Sequence, residues 1–135
     1  MRISSAPIRI RAEVTEPDIV MVLDSGLINI VKVTGGLAAK GLMVVNTKTP
    51  ETVPAEMRAL YRIATVDANR IAKEVLGVPI VNTTMLGALL KAAGMVSLEA
   101  LSEPMKKRFG KLADKNSAAL KRAYDETKVE EVAHA

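Results

Sequence analysis

Four short apolar runs, each followed at once by polar residues, restrict the fold of this 135-residue chain more than any other feature. The runs are IVMVL at 19–23, LMVV at 42–45, the apolar part of LYRIATVDA at 60–68, and VPIV at 78–81. Short runs bounded by turn residues are typical of strands that are buried on both faces of a parallel sheet. Because helical patterns alternate with these runs, the sequence predicts a Rossmann-like α/β domain with a mainly parallel sheet and flanking helices.

The ends of two predicted helices are clearly marked in the sequence. Asp67 is a suitable N-cap for ANRIAKEVL, and Gly77 follows where a left-handed C′ residue would end that helix. A second helix, with an apolar stripe, starts after Asn82-Thr83-Thr84 and ends at Gly94. Gly87 and Ala88 within it are small enough to allow close approach of another helix or another chain.

Other elements have weaker signals. The alternation in IRIRAE, 8–13, predicts a strand with one wet face, and 25–39 predicts a helix interrupted by Gly35-Gly36. Ser97 is placed to cap a helix that Pro104 should kink or divide. A last helix is expected over 112–129. We expect one α/β domain over residues 1–135, with a flexible tail at 130–135.

The residue inventory excludes most catalytic centres. The chain has no cysteine, so it can hold no disulfide and no cysteine-ligated zinc or iron–sulfur site. Its one histidine is His134, too near the end to form a Ser/His pair within the fold. Asp24 and Asp67 could approach at neighbouring strand ends, but carboxylates there more often cap helices. We therefore predict no catalytic residue and no metal ligand.

Composition also bears on partners and location. Aromatic residues make up only 2% of the chain, which leaves no platform for stacking bases and argues against nucleic-acid binding. No apolar run is long enough to span a bilayer, and the start lacks a signal-peptide pattern, so a cytoplasmic protein without membrane contact is expected. The basic segment 105–122 fits either an anionic partner, such as a phosphate-bearing cofactor or an acidic protein, or a solvated helix face.

Two polar corners are the candidate binding residues. Asn46-Thr47-Lys48 and Asn82-Thr83 follow apolar runs, at the carboxyl ends of predicted strands, where α/β folds bind ligands. Asparagine and threonine can cap a helix while offering a further hydrogen-bonding group outward. A helix N-terminus beside them favours phosphate or carboxylate. Both pure capping and capping combined with contact to a cofactor or another subunit remain open for these five residues.

Four longer stretches carry a resemblance to a known family. They are IRIRAEVTEPDIVMVLD, GLMVVNTKTPE, TVDANRIAKEVLGVPIVNTTMLGALLKAAGMVSLEAL and FGKLADKNSAALKRAY. Together they resemble the gamma subunit of 2-oxoacid:ferredoxin oxidoreductases, the pyruvate synthase type above all. The resemblance covers nearly the whole chain, from Ile8 to about Tyr124. It implies a Rossmann-like fold and corresponds to the C-terminal two-thirds of a gamma-type domain, without the first β-α unit and its glycine-rich turn.

The resemblance also implies a function. Such a complex oxidatively decarboxylates a 2-oxoacid, with pyruvate as the expected one here, to acyl-coenzyme A and CO2 while reducing ferredoxin. It uses thiamine diphosphate, Mg2+, 4Fe-4S clusters and coenzyme A, held mainly by alpha, beta and delta subunits, with no cofactor held by this chain alone. Asn46, Thr47, Lys48, Asn82 and Thr83 would line the coenzyme A channel or the subunit contact. The alternatives are a free-standing small nucleotide- or coenzyme-A-binding module and a basic nucleic-acid-binding domain.

Overall fold

The computed structural model describes residues 1–132 and has a four-stranded sheet at its centre. Strands β1 (Ile19–Val22), β2 (Leu42–Asn46) and β3 (Arg62–Val66) run parallel in that order. Strand β4 (Lys128–Glu130) pairs antiparallel with β3 at the far edge. The predicted α/β class and mainly parallel sheet are therefore confirmed.

The central strands are mainly apolar because both faces of the sheet are covered. Leu42, Val44, Ala64 and Val66 point to one face, which packs against helices from the second half of the chain. Alternate residues of the same strands, together with Val22, point to the other face and meet the loops and short helix of the first half. An aliphatic core on both faces is what a sheet between two layers requires.

Five α-helices lie within the described residues. They are α1 (Ala55–Leu60), α2 (Ala68–Leu76), α3 (Asn82–Ala93), α4 (Ser102–Phe109) and α5 (Ala113–Glu126). Both predicted ends of α2 and the predicted end of α3 at Gly94 are confirmed, whereas α3 starts at Asn82, three residues earlier than expected and without a side-chain cap. Asp67 caps α2 by accepting a hydrogen bond from the Arg70 N–H, and Gly77 and Gly94 end the two helices in the left-handed conformation.

The close approach that Gly87 was expected to permit occurs within the chain. A Cβ atom at Gly87 would lie 2.0 Å from the backbone oxygen of Leu120, so α3 and α5 touch backbone to backbone there. Ala88, Ala119 and Ala123 are completely buried around this crossing. Helix α5 is thus held against α3, which in turn lies on β2 and β3.

Three predicted elements are wrong. The segment 8–13 is exposed and forms no strand, because no strand lies alongside it to share backbone hydrogen bonds. The run VPIV, 78–81, is not a strand either; it joins α2 to α3, and Pro79 has no N–H to donate to a ladder. The helix expected over 25–39 shrinks to a 3-10 helix at Ser25–Asn29. The remainder of that segment turns at Gly36, which has a φ of 75° and lies against the backbone of Thr15.

The C-terminal segment also differs from expectation. Helix α5 ends at Glu126 rather than at 129, and β4 follows directly, so the fourth strand comes from the end of the chain instead of from VPIV. Arg62 of β3 forms two hydrogen bonds to the carboxylate of Glu131. The expected flexible tail, 130–135, therefore includes the last residue of β4, Glu130, and two ion pairs, Glu130 with Arg58 and Glu131 with Arg62. Its last part, 133–135 with His134, lies outside the described residues.

Pro104 divides its segment as predicted. A 3-10 turn at Glu99–Leu101 precedes α4, and Pro104 lies in the first turn of α4, where a missing N–H breaks no helical hydrogen bond. Ser97 accepts a hydrogen bond from the Ala100 N–H at 3.3 Å, as its predicted capping role requires. Val96 and Leu101 pack into the same small apolar cluster, around Met105 and Leu120.

Candidate functional site

A large open groove lies between α3, α4 and the edge strand β1, with a volume of about 1140 Å³. We call it the α3–α4 groove. Its surface is mainly apolar, with side chains from β1, from the segment that joins α2 to α3, and from the helices. Those side chains include Met21, Leu76, Val78, Ile80, Leu86 and Phe109. Ile80 is 60% exposed and Val78 is 44% exposed.

The N-terminus of α3 lies at the groove. Asn82 and Thr83 line it, and Val81, the residue before the helix, offers no side-chain cap. The first helical hydrogen bond joins the Met85 N–H to the Val81 oxygen at 2.8 Å, so the N–H groups of residues 82–84 have no partner inside the helix. This end of the groove therefore has a positive partial charge and free donors.

Three cations, Lys107, Arg108 and Lys115, also line the groove. None of them takes part in an ion pair among residues 1–132. Their basic neighbours do: Lys106 pairs with Glu103, Lys121 with Asp125, and Arg122 with Glu74 and Glu126. Apart from Lys111, which neither lines the groove nor forms an ion pair among residues 1–132, the basic residues of this segment are either paired at the helix surface or unpaired at the groove.

Asn46 of the first predicted corner is 3% exposed and turns into the fold. Its side-chain nitrogen donates to the Leu23 oxygen at 2.9 Å, and its side-chain oxygen accepts from the Ala68 N–H at 3.0 Å. One amide thereby joins the end of β1, the end of β2 and the start of α2. This arrangement fits the capping interpretation of the corner.

Thr47 and Lys48 complete that corner, away from the groove. The Thr47 hydroxyl is bonded to the Thr49 oxygen and the Thr52 hydroxyl, both at 3.0 Å, and shapes the turn after β2. Lys48 is exposed. None of Asn46, Thr47 and Lys48 lines the groove, whereas Asn82 and Thr83 do. The structure therefore divides the five predicted site residues into two groups and does not bring them to one cavity.

The sequence analysis missed the groove because two of its apolar residues, Val78 and Ile80, were assigned to a buried strand. Pro79 between them, two residues after the helix-ending Gly77, was the available signal for a connection instead. Thr84 directly follows the second corner along the chain. It is fully buried, and its hydroxyl has no hydrogen-bond partner in the part of the chain that the structure describes.

Opposite charges join α2 to α5 on another surface. Glu126 is held by Arg122, at 2.7 Å, and by Arg70 of α2, which also faces Glu74. The hydrogen bond from Arg122, with further help from Arg70, lowers the pKa of Glu126 below its ordinary value, although partial burial acts the other way. The same contacts raise the pKa of both arginines. The network links two helices, and none of its residues lines the α3–α4 groove.

Two classes of site find no support over residues 1–132. No three histidine, cysteine or acidic side chains come together there in a way that could hold a metal ion. No helix in that range is long and apolar enough to cross a bilayer.

Comparisons with known proteins agree on one family. Residues 1–126 match the family model described as pyruvate ferredoxin/flavodoxin oxidoreductase. A Pyrococcus furiosus protein, the pyruvate/ketoisovalerate oxidoreductases common subunit gamma, is 45% identical over 134 residues, which are 97% of this chain and 72% of that protein. Pyruvate synthase subunit PorC of Methanothermobacter marburgensis is 44% identical over 128 residues, 94% of this chain and 70% of its own.

A solved structure extends the similarity to three dimensions. The crystal structure of the pyruvate oxidoreductase subunit PORC of Thermotoga maritima superimposes with a TM-score of 0.76 at 35% sequence identity. The superposition covers 87% of this chain and 67% of that one. The α/β fold is therefore shared with these relatives.

Proposed function

Because this chain belongs to the pyruvate ferredoxin/flavodoxin oxidoreductase family, we propose that it acts as the gamma-type subunit of a 2-oxoacid oxidoreductase complex. The observation that carries the proposal is the identity of 45% to a subunit named gamma, spread over 97% of the chain. The alternative of a free-standing coenzyme-A-binding module is not favoured, since the relatives are named as subunits.

We propose that the complex converts a 2-oxoacid and coenzyme A into acyl-coenzyme A and CO2, and that two electrons pass to ferredoxin. Thiamine diphosphate with Mg2+ would supply the decarboxylation chemistry, and 4Fe-4S clusters would carry the electrons. The residues of this chain do not fit those groups, because it has no cysteine and residues 1–132 hold no acidic or histidine cluster. Alpha, beta and delta subunits would hold them. A cytoplasmic location suits the thiol of coenzyme A.

We propose that this chain has a structural role and lines the coenzyme A channel of the complex. Its five corner residues contribute to that role in different ways. Asn46 and Thr47 fix the ends of the strands through hydrogen bonds inside the fold. Lys48, Asn82 and Thr83 keep exposed surface. These three are the residues that we propose to contact coenzyme A or a neighbouring subunit in the complex.

We propose pyruvate as the substrate, with a second 2-oxoacid as a further candidate. The relative in Pyrococcus furiosus is named as common to pyruvate and ketoisovalerate oxidoreductases. A subunit common to two enzymes does not itself choose between their substrates. Both acids therefore need to be assayed.

Deletion of the gene in its native host tests the proposal. Extracts prepared without oxygen are assayed for coenzyme-A-dependent reduction of ferredoxin or methyl viologen by pyruvate and by 2-ketoisovalerate. We expect the deletion to abolish at least one activity, and a plasmid copy of the gene to restore it. Unchanged activity with both acids would contradict the proposal, and an unrelated deletion in the same strain serves as the control.

A further inference from the structure

The segment 8–13, which we call the arm, has the residue pattern of a strand but pairs with no strand among residues 1–132. Aliphatic and cationic side chains alternate along it and so lie on opposite sides of an extended chain. The alternating residues are Ile8, Arg9, Ile10 and Arg11. Ile8 is 49% exposed and Ile10 is 67% exposed. An extended segment is not stable alone in water and needs a sheet to which it can add.

The sheet of this chain has an open edge at β1. Strand β1 pairs with β2 on one side and has no strand on its other side within the described residues. Its Met21 is 38% exposed and lines the α3–α4 groove. Backbone N–H and C=O groups along such an edge can bond to an added strand. The chain thus has both an unpaired strand-like segment and an unpaired strand edge.

The connection between the arm and β1, residues 14–18, is anchored to another part of the chain. The backbone of Thr15 lies against Gly36, where a Cβ atom would be 2.0 Å from the Thr15 oxygen. Pro17 has a fixed φ, and its oxygen accepts a hydrogen bond from the Ala38 N–H at 3.4 Å. This anchoring explains why the arm does not fold back on its own β1 as a hairpin. The arm of a second copy is under no such constraint.

The charges of the arm and of the β1 edge are complementary. Arg9 and Arg11 form no ion pair in the part of the chain that the structure describes. Asp18 directly precedes β1 and Asp24 lies two residues after it, and neither is ion-paired within that part. Opposite charges on two segments favour their association and suppress wrong partners. When the isoleucines of the arm cover Met21, alternation directs its arginines away from the groove and the cations there.

We propose that two copies of this chain form a two-fold dimer in which the arm of each copy adds as a strand to the open edge of β1 in the other. Ile8 and Ile10 then cover Met21 of the partner copy. Each copy gives one arm and receives one, so the assembly is closed and neither edge remains open to a third copy. Exchange of an identical segment is a low-cost route to a dimer, because the same contact is made twice.

Cross-linking tests the proposal on the whole chain, which has no cysteine of its own. One preparation carries Ile10→Cys, and a second, distinguished by the mass of an affinity tag, carries Met21→Cys. After the two are mixed, a short bismaleimide should join one chain of each kind. Leu60→Cys replaces Ile10→Cys in the control, because Leu60 is 59% exposed but lies at the end of α1, outside the arm. The control should give only background cross-linking.

Analytical ultracentrifugation measures the strength of the dimer. The double substitution Ile8→Asp and Ile10→Asp should raise its dissociation constant about tenfold or more, since the aliphatic contacts with β1 are lost. Leu60→Asp is the matched control and should leave the constant unchanged. The double substitution Arg9→Glu and Arg11→Glu should also weaken the dimer, and added salt should weaken the unsubstituted dimer. Circular dichroism confirms that each variant is folded.

Three results would overturn the proposal. They are a chain that stays monomeric up to about 1 mM, a yield of cross-linked Ile10→Cys and Met21→Cys chains no higher than that of the control, and a dimer that the two aspartate substitutions in the arm leave intact. The third result would place the contact between copies elsewhere on the chain. The gene-deletion assay does not measure self-association, so the proposed function and this proposal can fail separately.

Discussion

At the scale of single residues, Asn46 shows how one polar side chain can organise the end of a sheet. Its two hydrogen bonds, to Leu23 and to Ala68, are both made where the side chain is 3% exposed. Asn46→Ala leaves a backbone oxygen and a backbone N–H without these partners, and we expect a loss of about 2 kcal/mol in the free energy of unfolding. Urea unfolding followed by circular dichroism measures it.

Asn82→Ala is the matched control for Asn46→Ala, because Asn82 is exposed at the groove. We expect its unfolding free energy to stay within about 0.5 kcal/mol of the wild type. Equal losses in the two variants would show that the bonds of Asn46 contribute no special stability.

Thr84 gives a second prediction at this scale. Its buried hydroxyl has no partner among residues 1–132, so burial costs free energy that no hydrogen bond offsets. Thr84→Val keeps the shape and removes the hydroxyl, and should raise the unfolding free energy by about 1 kcal/mol. Thr127→Val is the control, because that buried hydroxyl donates to the Ala123 oxygen and its loss should destabilise. A destabilised Thr84→Val variant would contradict the prediction.

At the scale of elements, the crossing of α3 and α5 depends on Gly87. A Cβ atom there would overlap the Leu120 oxygen, and neither helix backbone can move without disturbing the core. Gly87→Ala should therefore cost about 2 kcal/mol in unfolding free energy. Gly94→Ala is the comparison, since its Cβ meets open space and only the left-handed φ opposes it, at about 1 kcal/mol. A Gly87→Ala variant as stable as the wild type would show that the helices do not touch there.

The ion network between α2 and α5 makes stability depend on pH. The pKa of Glu126 is lowered in the fold, so its contribution is present above the unfolded pKa of about 4.3 and is lost as pH falls through the folded value. Glu126→Gln should be less stable than the wild type at pH near 7 and match it in acid. Glu99→Gln, at an exposed residue without an ion pair in the described structure, should leave the unfolding free energy unchanged both near pH 7 and in acid. If the unfolding free energies of wild type and Glu126→Gln changed with pH in parallel, the proposed contribution of Glu126 would be contradicted.

The sequence predicted those elements whose ends carry their own local signals. Asp67, Gly77 and Gly94 mark helix ends by side-chain capping or by left-handed φ, and neither depends on distant parts of the chain. The segments 8–13 and 78–81 failed because a strand exists only where a neighbour pairs with it. Strand β4 was missed for the same reason, since three residues after α5 become a strand only by pairing with β3.

The candidate site was predicted less well than the fold. Polar corners after apolar runs were correctly located along the chain, but the sequence did not show that Asn46 turns inward while Asn82 faces a groove. That difference depends on the packing of α3, α4 and α5, through which Lys107, Arg108 and Lys115 line the same groove as Asn82. The spacing of residues along the chain does not show which distant elements pack together.

At the scale of the whole molecule, we propose that this chain works inside a larger assembly. Its family and its exposed apolar groove both support that proposal. The most direct measurement is native mass spectrometry of the tagged chain, purified from its own host without oxygen. The account predicts a stoichiometric complex with larger subunits that contain thiamine diphosphate and iron–sulfur clusters. A chain that is recovered only as the free 14.4 kDa species, or only with copies of itself, would contradict it.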